Sequence, residues 1–255
     1  MVFYKYKAPA VRQPQNMKWG AEPEGFLFCM PTAILIDGGF YLRRFRACYP
    51  LKDCKEPQIV AKTAFELALS HLEEKNGIRH DLYRIFFYDC PPLQKKVHYP
   101  RTQKSLDFSK TSQSRFRLAL HDELRKLRKV ALRLGHLMDH TEWRLKDGKL
   151  RKLLDGSLDF NALTDEDFEY ATAQKGVDMR IGLDIASLSY KRQVDQIVLV
   201  AGDSDFVPAA KLARREGIDF VLDPLWHPVH PSLQEHVDGV RSTCPNPAHG
   251  KAPLP

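Results

Sequence analysis

Residues 197–210 read IVLVAGDSDFVPAA, an apolar run that breaks into Asp203 and Asp205, one residue apart. A second strand-like run, AILID at 33–37, also ends in a carboxylate, Asp37, and is followed by Gly38-Gly39. A third candidate, Asp178, stands in QKGVDMRIGLD where a helical pattern begins. Carboxylates gathered in one place repel each other, and one takes up a proton unless a cation intervenes. Aspartates with no Cys or His among them suit a hard cation such as magnesium or manganese, which keeps waters and takes further ligands from phosphate. Two such ions about 4 Å apart activate water and stabilise a leaving oxygen in phosphodiester cleavage. The competing reading is structural, because an Asp after a strand commonly closes a turn or caps a helix. For Asp205 alone capping comes first, since Phe206-Val207-Pro208 opens a helix and proline suits a first turn. For Asp203 and Asp205 taken with Asp37, spacing leaves both readings open. On a regular helix Asp178 and Asp184 point about 240° apart, so they do not serve one spot together. Asp178, in the first turn, is the better placed. Asp184 caps, pairs with a base, or acts from behind the ligands.

These carboxylates need strands and helices to bring them together. The strand-like runs are 33–37, the aromatic and β-branched 82–89 stopped by Pro91-Pro92, the alternating KVALRLGHLM, 196–201 and IDFVL. Helical spacing falls on FYLRRFRACY, 58–75 up to Asn76-Gly77, the stretch from 112, DEDFEYATAQ, VDMRIGLDIASLSYKR, 207–216 closed by Gly217, and a short piece near SLQEHV. Asp147-Gly148 between two short runs reads as a hairpin. The alternation predicts an α/β fold with a mostly parallel sheet and helices on both faces. In such a sheet the functional crevice lies at the carboxyl ends of the strands, where strand order reverses. Residues 1–29 are polar and Pro-rich, and read as a disordered tail or a mis-assigned start before Met30. Residues 30–240 then form the domain, with a basic insertion around 95–152, and 241–255 a flexible tail.

Composition narrows the partners. The 255 residues are 43% apolar, with a formal charge of +7 and a pI near 9.1. Five scattered cysteines without a C-x-x-C pair argue against a disulfide framework or zinc ribbon and fit a reducing cytosol. No apolar run approaches the roughly 20 residues of a membrane span, and no secretion signal is visible. The expectation is a soluble cytoplasmic protein with no membrane partner. Residues 95–152 hold seventeen Lys and Arg against six Asp and Glu, a balance of +11 that leaves −4 for the rest. A protein that cuts nucleic acid needs this division, a basic wall for the backbone and an acidic spot for the chemistry. Arg125, Arg128 and Lys129 are candidates for the wall, and Lys175 and Arg180 flank Asp178. Tyr88, Tyr99, Phe108 and Trp143 offer stacking faces for unpaired bases, or else serve as core aromatics. Two weaker signals carry little. Arg115 and His121 match a spacing seen in another ribonuclease class, which reads as chance. His227, His230, His236, Cys244 and His249 fit no known zinc pattern.

The segments AILIDGGF, QKGVDMRIGLDIASL and IVLVAGDSDFVPAAKLARREG resemble the NYN domain in its LabA-like branch, within the PIN-like nuclease superfamily. The resemblance spans about residues 33–240. It implies a Rossmann-like, PIN-like three-layer sandwich, an acidic site for Mg2+ or Mn2+, and RNA cleavage. Carried over residue by residue, it assigns Asp37, Asp178, Asp203 and Asp205 as catalytic metal ligands and gives Asp184 a secondary place. Ser204, between the pair, would bond a ligated water or phosphate. There is one departure: many members carry Asn three residues after the first Asp, and here that position is Phe40. The expected function is metal-dependent endoribonuclease action on single-stranded or flexible RNA. The alternative is a non-catalytic RNA- or protein-binding regulator, which Phe40 favours and the retained GDSD and KGVD disfavour. An aspartyl-nucleophile phosphatase is disfavoured, because Gly38-Gly39 stand where its second Asp would be. A homo-oligomer is possible but not readable.

Overall fold

The computed structural model describes residues 31–73, 77 and 79–248. Its strands are β1 Pro31–Asp37, β2 Asp81–Asp89, β3 Lys96–His98, β4 Ser105–Asp107, β5 Val130–Leu134, β6 His136–Leu145, β7 Phe168–Lys175, β8 Gln196–Val200, β9 Asp219–Asp223 and β10 Gly239–Val240. Its α-helices are α1 Gly38–Cys48, α2 Pro57–Ser70, α3 Ser112–Lys126, α4 Asp147–Leu154, α5 Val177–Tyr190, α6 Val207–Arg215 and α7 Pro231–Gln234. Six strands form one all-parallel sheet in the order β10-β9-β8-β1-β2-β5. The chain builds outward from β1 to β5, returns across the sheet to β8, and builds outward again. The order therefore reverses between β1 and β8.

The strands are apolar on both sides because helices cover both sides. Ala33 and Leu35 face one core with β8 and β9 residues, α5, α6 and Leu233 of α7. Ile34 and Ile36 face the other core, with Phe45 of α1, Val60 and Leu67 of α2, and Leu120 and Leu124 of α3. The result is a three-layer Rossmann-type sandwich, as the sequence pattern predicts. Tyr41 ties α1 to α2 by donating its hydroxyl to the Val60 carbonyl at 3.0 Å.

Two small antiparallel pairs, β3–β4 and β6–β7, stand outside this sheet. They correct several expectations. DEDFEYATAQ is not a helix: Asp165–Asp167 make a 3-10 turn closed by a Thr164–Asp167 capping box, and Phe168 onward runs as β7 against β6. The acidic start signal is genuine but serves one turn, and the period-two aromatic pattern behind it governs the rest. Asp147-Gly148 is not a hairpin turn but the first turn of α4. The alternating KVALRLGHLM is two strands that part at Gly135, β5 in the main sheet and β6 in the ribbon. The basic 95–152 segment is not a single insertion, because α3 and β5 within it belong to the central sandwich. Beyond β10, the expected tail is packed as far as Cys244, which is buried against the α1–α2 core.

Candidate active site at the topological switch

Asp37 is the last residue of β1, at the strand-order reversal. Its Oδ1 accepts from the Phe40 amide at 3.1 Å and caps α1. The strand must turn into the helix at once, and Gly38 permits it. A Cβ there would lie 2.5 Å from the Phe87 ring and 2.6 Å from the Tyr88 carbonyl. Asp37 is 9% exposed. Burial pushes its carboxyl up, an effect the capping amide and Arg43 oppose and the charge of Asp178 reinforces.

β8 ends next door, and the chain passes through Ala201-Gly202 to Asp203. Asp203 Oδ1 accepts from the Asp205 amide at 3.1 Å and caps the 3-10 turn Ser204–Phe206 that leads into α6. The cap is thus Asp203, whereas the sequence pointed to Asp205. The mechanism is an Asx-turn two residues on, which leaves the Asp205 carboxyl without that duty. Asp178 lies exposed in the first turn of α5. Burial raises its carboxyl, and the charges of Asp203 and then Asp205 raise it further. Asp37 thus feels Asp178, and Asp178 feels Asp203 and Asp205. The fold brings the four carboxylates within electrostatic reach at one edge. Ser204 lies between the pair, half-buried.

Asp184 faces elsewhere. It accepts from the Tyr88 hydroxyl at 2.8 Å and stands 3.3 Å from Arg133 Nε. Of the alternatives the sequence left for it, pairing with a base is the one adopted. Tyr88, read as a stacking face, is instead fully buried. Burial, then the Asp184 charge, pushes its phenol far above the ordinary range.

The basic candidates divide. Lys175 ends β7 and Arg180 lies in the first turns of α5, on the same edge as Asp178. Arg125, Arg128 and Lys129 sit where α3 ends and β5 begins, at the amino edge of the sheet and away from the carboxylates. Arg125 pairs with Asp122 at 2.7 Å, and the Lys129 ammonium donates to the Leu82 carbonyl. A charge sum over a segment carries no direction, and α3 runs antiparallel to the strands, so its two ends serve opposite edges. Among its described residues the histidine-rich stretch gathers no metal set: His230 caps α7, His227 contacts the Pro228 carbonyl, and Cys244 is buried. His249 lies outside the described residues.

Phe40 explains part of the local architecture. Its ring packs over Gly202, where a Cβ would come within 2.5 Å of a ring carbon, and meets His227 edge-on at 6.1 Å. The departure from the Asn pattern thus fills the space between the two Asp-bearing strand ends.

Two groups at this edge escaped the sequence reading. Arg43, exposed on α1, draws the carboxyls of both Asp37 and Asp178 down. Asp89 ends β2 and is fully buried, with His121 Nε2 at 2.7 Å and the Arg117 guanidinium donating to its other oxygen. Burial pushes the Asp89 carboxyl up, but the bonds from His121 and Arg117 outweigh it and hold it low. The signal for Asp89 was available, since LYRIFFYD is a third strand that ends in Asp. His121 works with Arg117 here, and Arg115 is exposed on the helix.

Residues 123–234 match the NYN domain. The NYN match includes Asp178, Asp184, Asp203 and Asp205 and stops short of Asp37. The NYN domain lies within the PIN-like nuclease superfamily, which generally acts on RNA. No curated protein matches. A crystal structure of a protein of unknown function from Vibrio parahaemolyticus is similar over 86% of this chain and 94% of its own, at 14% identity and a TM-score of 0.42.

The donors at this edge are all carboxylate oxygens, the chemistry a hard cation selects. Among the described residues, no group of three or more His, Cys, Asp or Glu side chains is arranged to hold a metal ion. Among the described residues no helix is long and apolar enough to cross a membrane.

Proposed function

We propose that this protein is a metal-dependent endoribonuclease of the LabA-like branch, acting in the cytoplasm on single-stranded or flexible RNA. The observation that carries the reading is the placement of Asp37 at the end of β1, Asp203 and Asp205 just beyond β8, and Asp178 in the first turn of α5, where the charges of Asp203 and Asp205 reach Asp178 and that of Asp178 reaches Asp37. Carboxylates pressed together in this way favour a cation. Asp37, with Asp178, Asp203 or Asp205, would hold Mg2+ or Mn2+ directly or through water. The bound ion would supply charge neutralisation at the phosphate and a more acidic water. Ser204 stands beside the pair to bond a phosphate oxygen or water, and Lys175 and Arg180 supply positive charge for the backbone at the same edge. No side-chain nucleophile is required.

A second reading, a non-catalytic RNA- or protein-binding regulator, draws on the Phe40 ring that fills the position where many relatives carry Asn. One experiment separates the two. Cleavage of labelled single-stranded RNA with manganese or magnesium is followed for the wild type and Asp203→Asn, with binding to the same RNA recorded for both. The Asn side chain keeps an oxygen to accept from the Asp205 backbone N–H. Metal-dependent cutting that the variant loses while still binding is the expected result. Binding without cutting by either protein establishes the regulator. Cutting that survives in Asp203→Asn removes the carboxylates from the chemistry.

A further inference from the structure

Beside the acidic edge, on its β2 flank, lies a cleft of about 910 Å³. One wall is aromatic. Tyr99 packs on Trp143 with ring centroids 5.4 Å apart, Trp143 meets Tyr170 edge-on at 5.3 Å, and Phe108 lies 5.2 Å from Tyr170. Each of these rings is half-buried, so part of each remains open to solvent. The indole of Trp143 is fixed by its bond to the His98 carbonyl at 2.9 Å.

The start of α3 also lines the cleft. Its cap, Thr111, accepts from the Ser114 amide at 3.2 Å. Ser114 itself is 2% exposed, lines the cleft, and has a hydroxyl with no hydrogen-bond partner. An unsatisfied buried hydroxyl is costly unless something fills its place. Arg117, one turn on, also lines the cleft, held from behind by Asp89. A 15-residue helix presents amide donors and positive dipole character at its first turn.

Aromatic rings sharing a cleft with an anion-suited helix start and an orphan hydroxyl suit a planar ring joined to a phosphate. We propose that this cleft is a nucleotide subsite: the aromatic wall stacks a base, and Ser114, Arg117 and the first turn of α3 hold that nucleotide's phosphate. β2 pairs directly with β1 and both strands end at this edge, so a strand of RNA seated here would pass the Asp37 end of β1. That role in the substrate strand rests on the ribonuclease reading. The subsite itself does not.

The test is calorimetric binding of adenosine 5′-monophosphate, adenosine and inorganic phosphate to the full chain in excess chelator, so that no metal at the acidic site contributes. Adenosine 5′-monophosphate is expected to bind more tightly than either fragment. Ser114→Ala should weaken it about ten-fold or more, the effect of losing a hydrogen bond to a charged group. Its folding stability should be unchanged or improved, because the hydroxyl it removes is unsatisfied. Trp143→Ala should weaken the nucleotide roughly ten-fold, with Trp143→Phe retaining most of it. No binding of the nucleotide, or binding indifferent to Ser114→Ala and Trp143→Ala, overturns the subsite. Phosphate binding as tightly as the nucleotide overturns the base wall. Asp203→Asn serves as the separating control: nucleotide binding retained there, with RNA cleavage absent even in the wild type, leaves the subsite standing and removes only the ribonuclease.

Discussion

Asp89→Asn removes one charge from the most enclosed ionic cluster at the functional edge. Asp89 is fully buried, the His121 side chain is 1% exposed, and Arg117 is 17% exposed. Both carboxylate oxygens are used, one by each partner. An amide in the same place offers one acceptor oxygen and turns an N–H toward a donor, so one bond is replaced by a clash of donors. Breaking a buried ion pair by removing one partner costs about 3–5 kcal/mol, because the other charge stays buried. Arg117 retains some access to water, which places the expectation near the lower end, about 3 kcal/mol. For a chain of this size that is a fall in Tm of about 6–12 °C. The pH dependence has a definite sign. A carboxyl held low in the fold contributes stability that is present above its unfolded value, near 3.9, and lost as pH falls through the lower folded value. Urea unfolding of both proteins at pH 7 and in an acid series should therefore show a wide gap that narrows toward acid. Adding Arg117→Met to the variant removes the orphaned charge and should recover part of the loss. A loss under about 1 kcal/mol at pH 7, or a gap constant with pH, would refute the assignment of that cluster as a charged, buried lock.

Three more outcomes follow from the same edge. Asp37→Asn keeps the cap on α1 but removes a buried charge whose carboxyl is raised. The native charge costs stability increasingly as pH rises from the unfolded value through the folded one, so in chelator the variant should be the more stable at neutral pH. The advantage should fade in acid, checked by thermal melts across pH. Gly202→Ala drives a methyl into the Phe40 ring and should cost about 1–3 kcal/mol, with Phe40→Leu in the same chain returning part of it, read by urea unfolding. Tyr88→Phe takes one bond from Asp184 and leaves Arg133 in place. About 1 kcal/mol should be lost, which thermal melts would check, and on the proposed ribonuclease reading RNA cleavage should be unchanged.

The parts of this molecule that could be read from sequence are those where one force dominates. AILI and IVLVA are apolar on both sides because helices cover both faces, and such short apolar runs bounded by turn residues read as buried strands. The parallel-sheet rule then puts their terminal Asp residues, Asp37 and the Asp203 and Asp205 pair, at one edge, where the fold has them. Asp178 followed from helix geometry. What stayed hidden depends on pairing or direction. β7 exists because β6 lies beside it, and its sequence alone offered an acidic cap and helix-compatible residues. Arg125, Arg128 and Lys129 are basic in any reading, but only the antiparallel run of α3 sends them to the far edge. Tyr88 looked available for stacking until Asp184 claimed its hydroxyl, a contact 96 residues away.

The strand order also sets when the site can exist. β1 is made early, but its β8 neighbour pairs with it from Thr32 to Gln196, and the buried Thr32 hydroxyl waits for the Gln196 side chain across 164 residues. At ribosomal rates of about 5–20 residues per second, the first carboxylate emerges roughly 8–30 s before its partners. Contacts of such long sequence separation also form late in folding. Until β8 slots in beside β1, Asp37 stands without Asp203 and Asp205. On the proposed ribonuclease reading, a nascent chain therefore carries no assembled acidic site until β8 has been made.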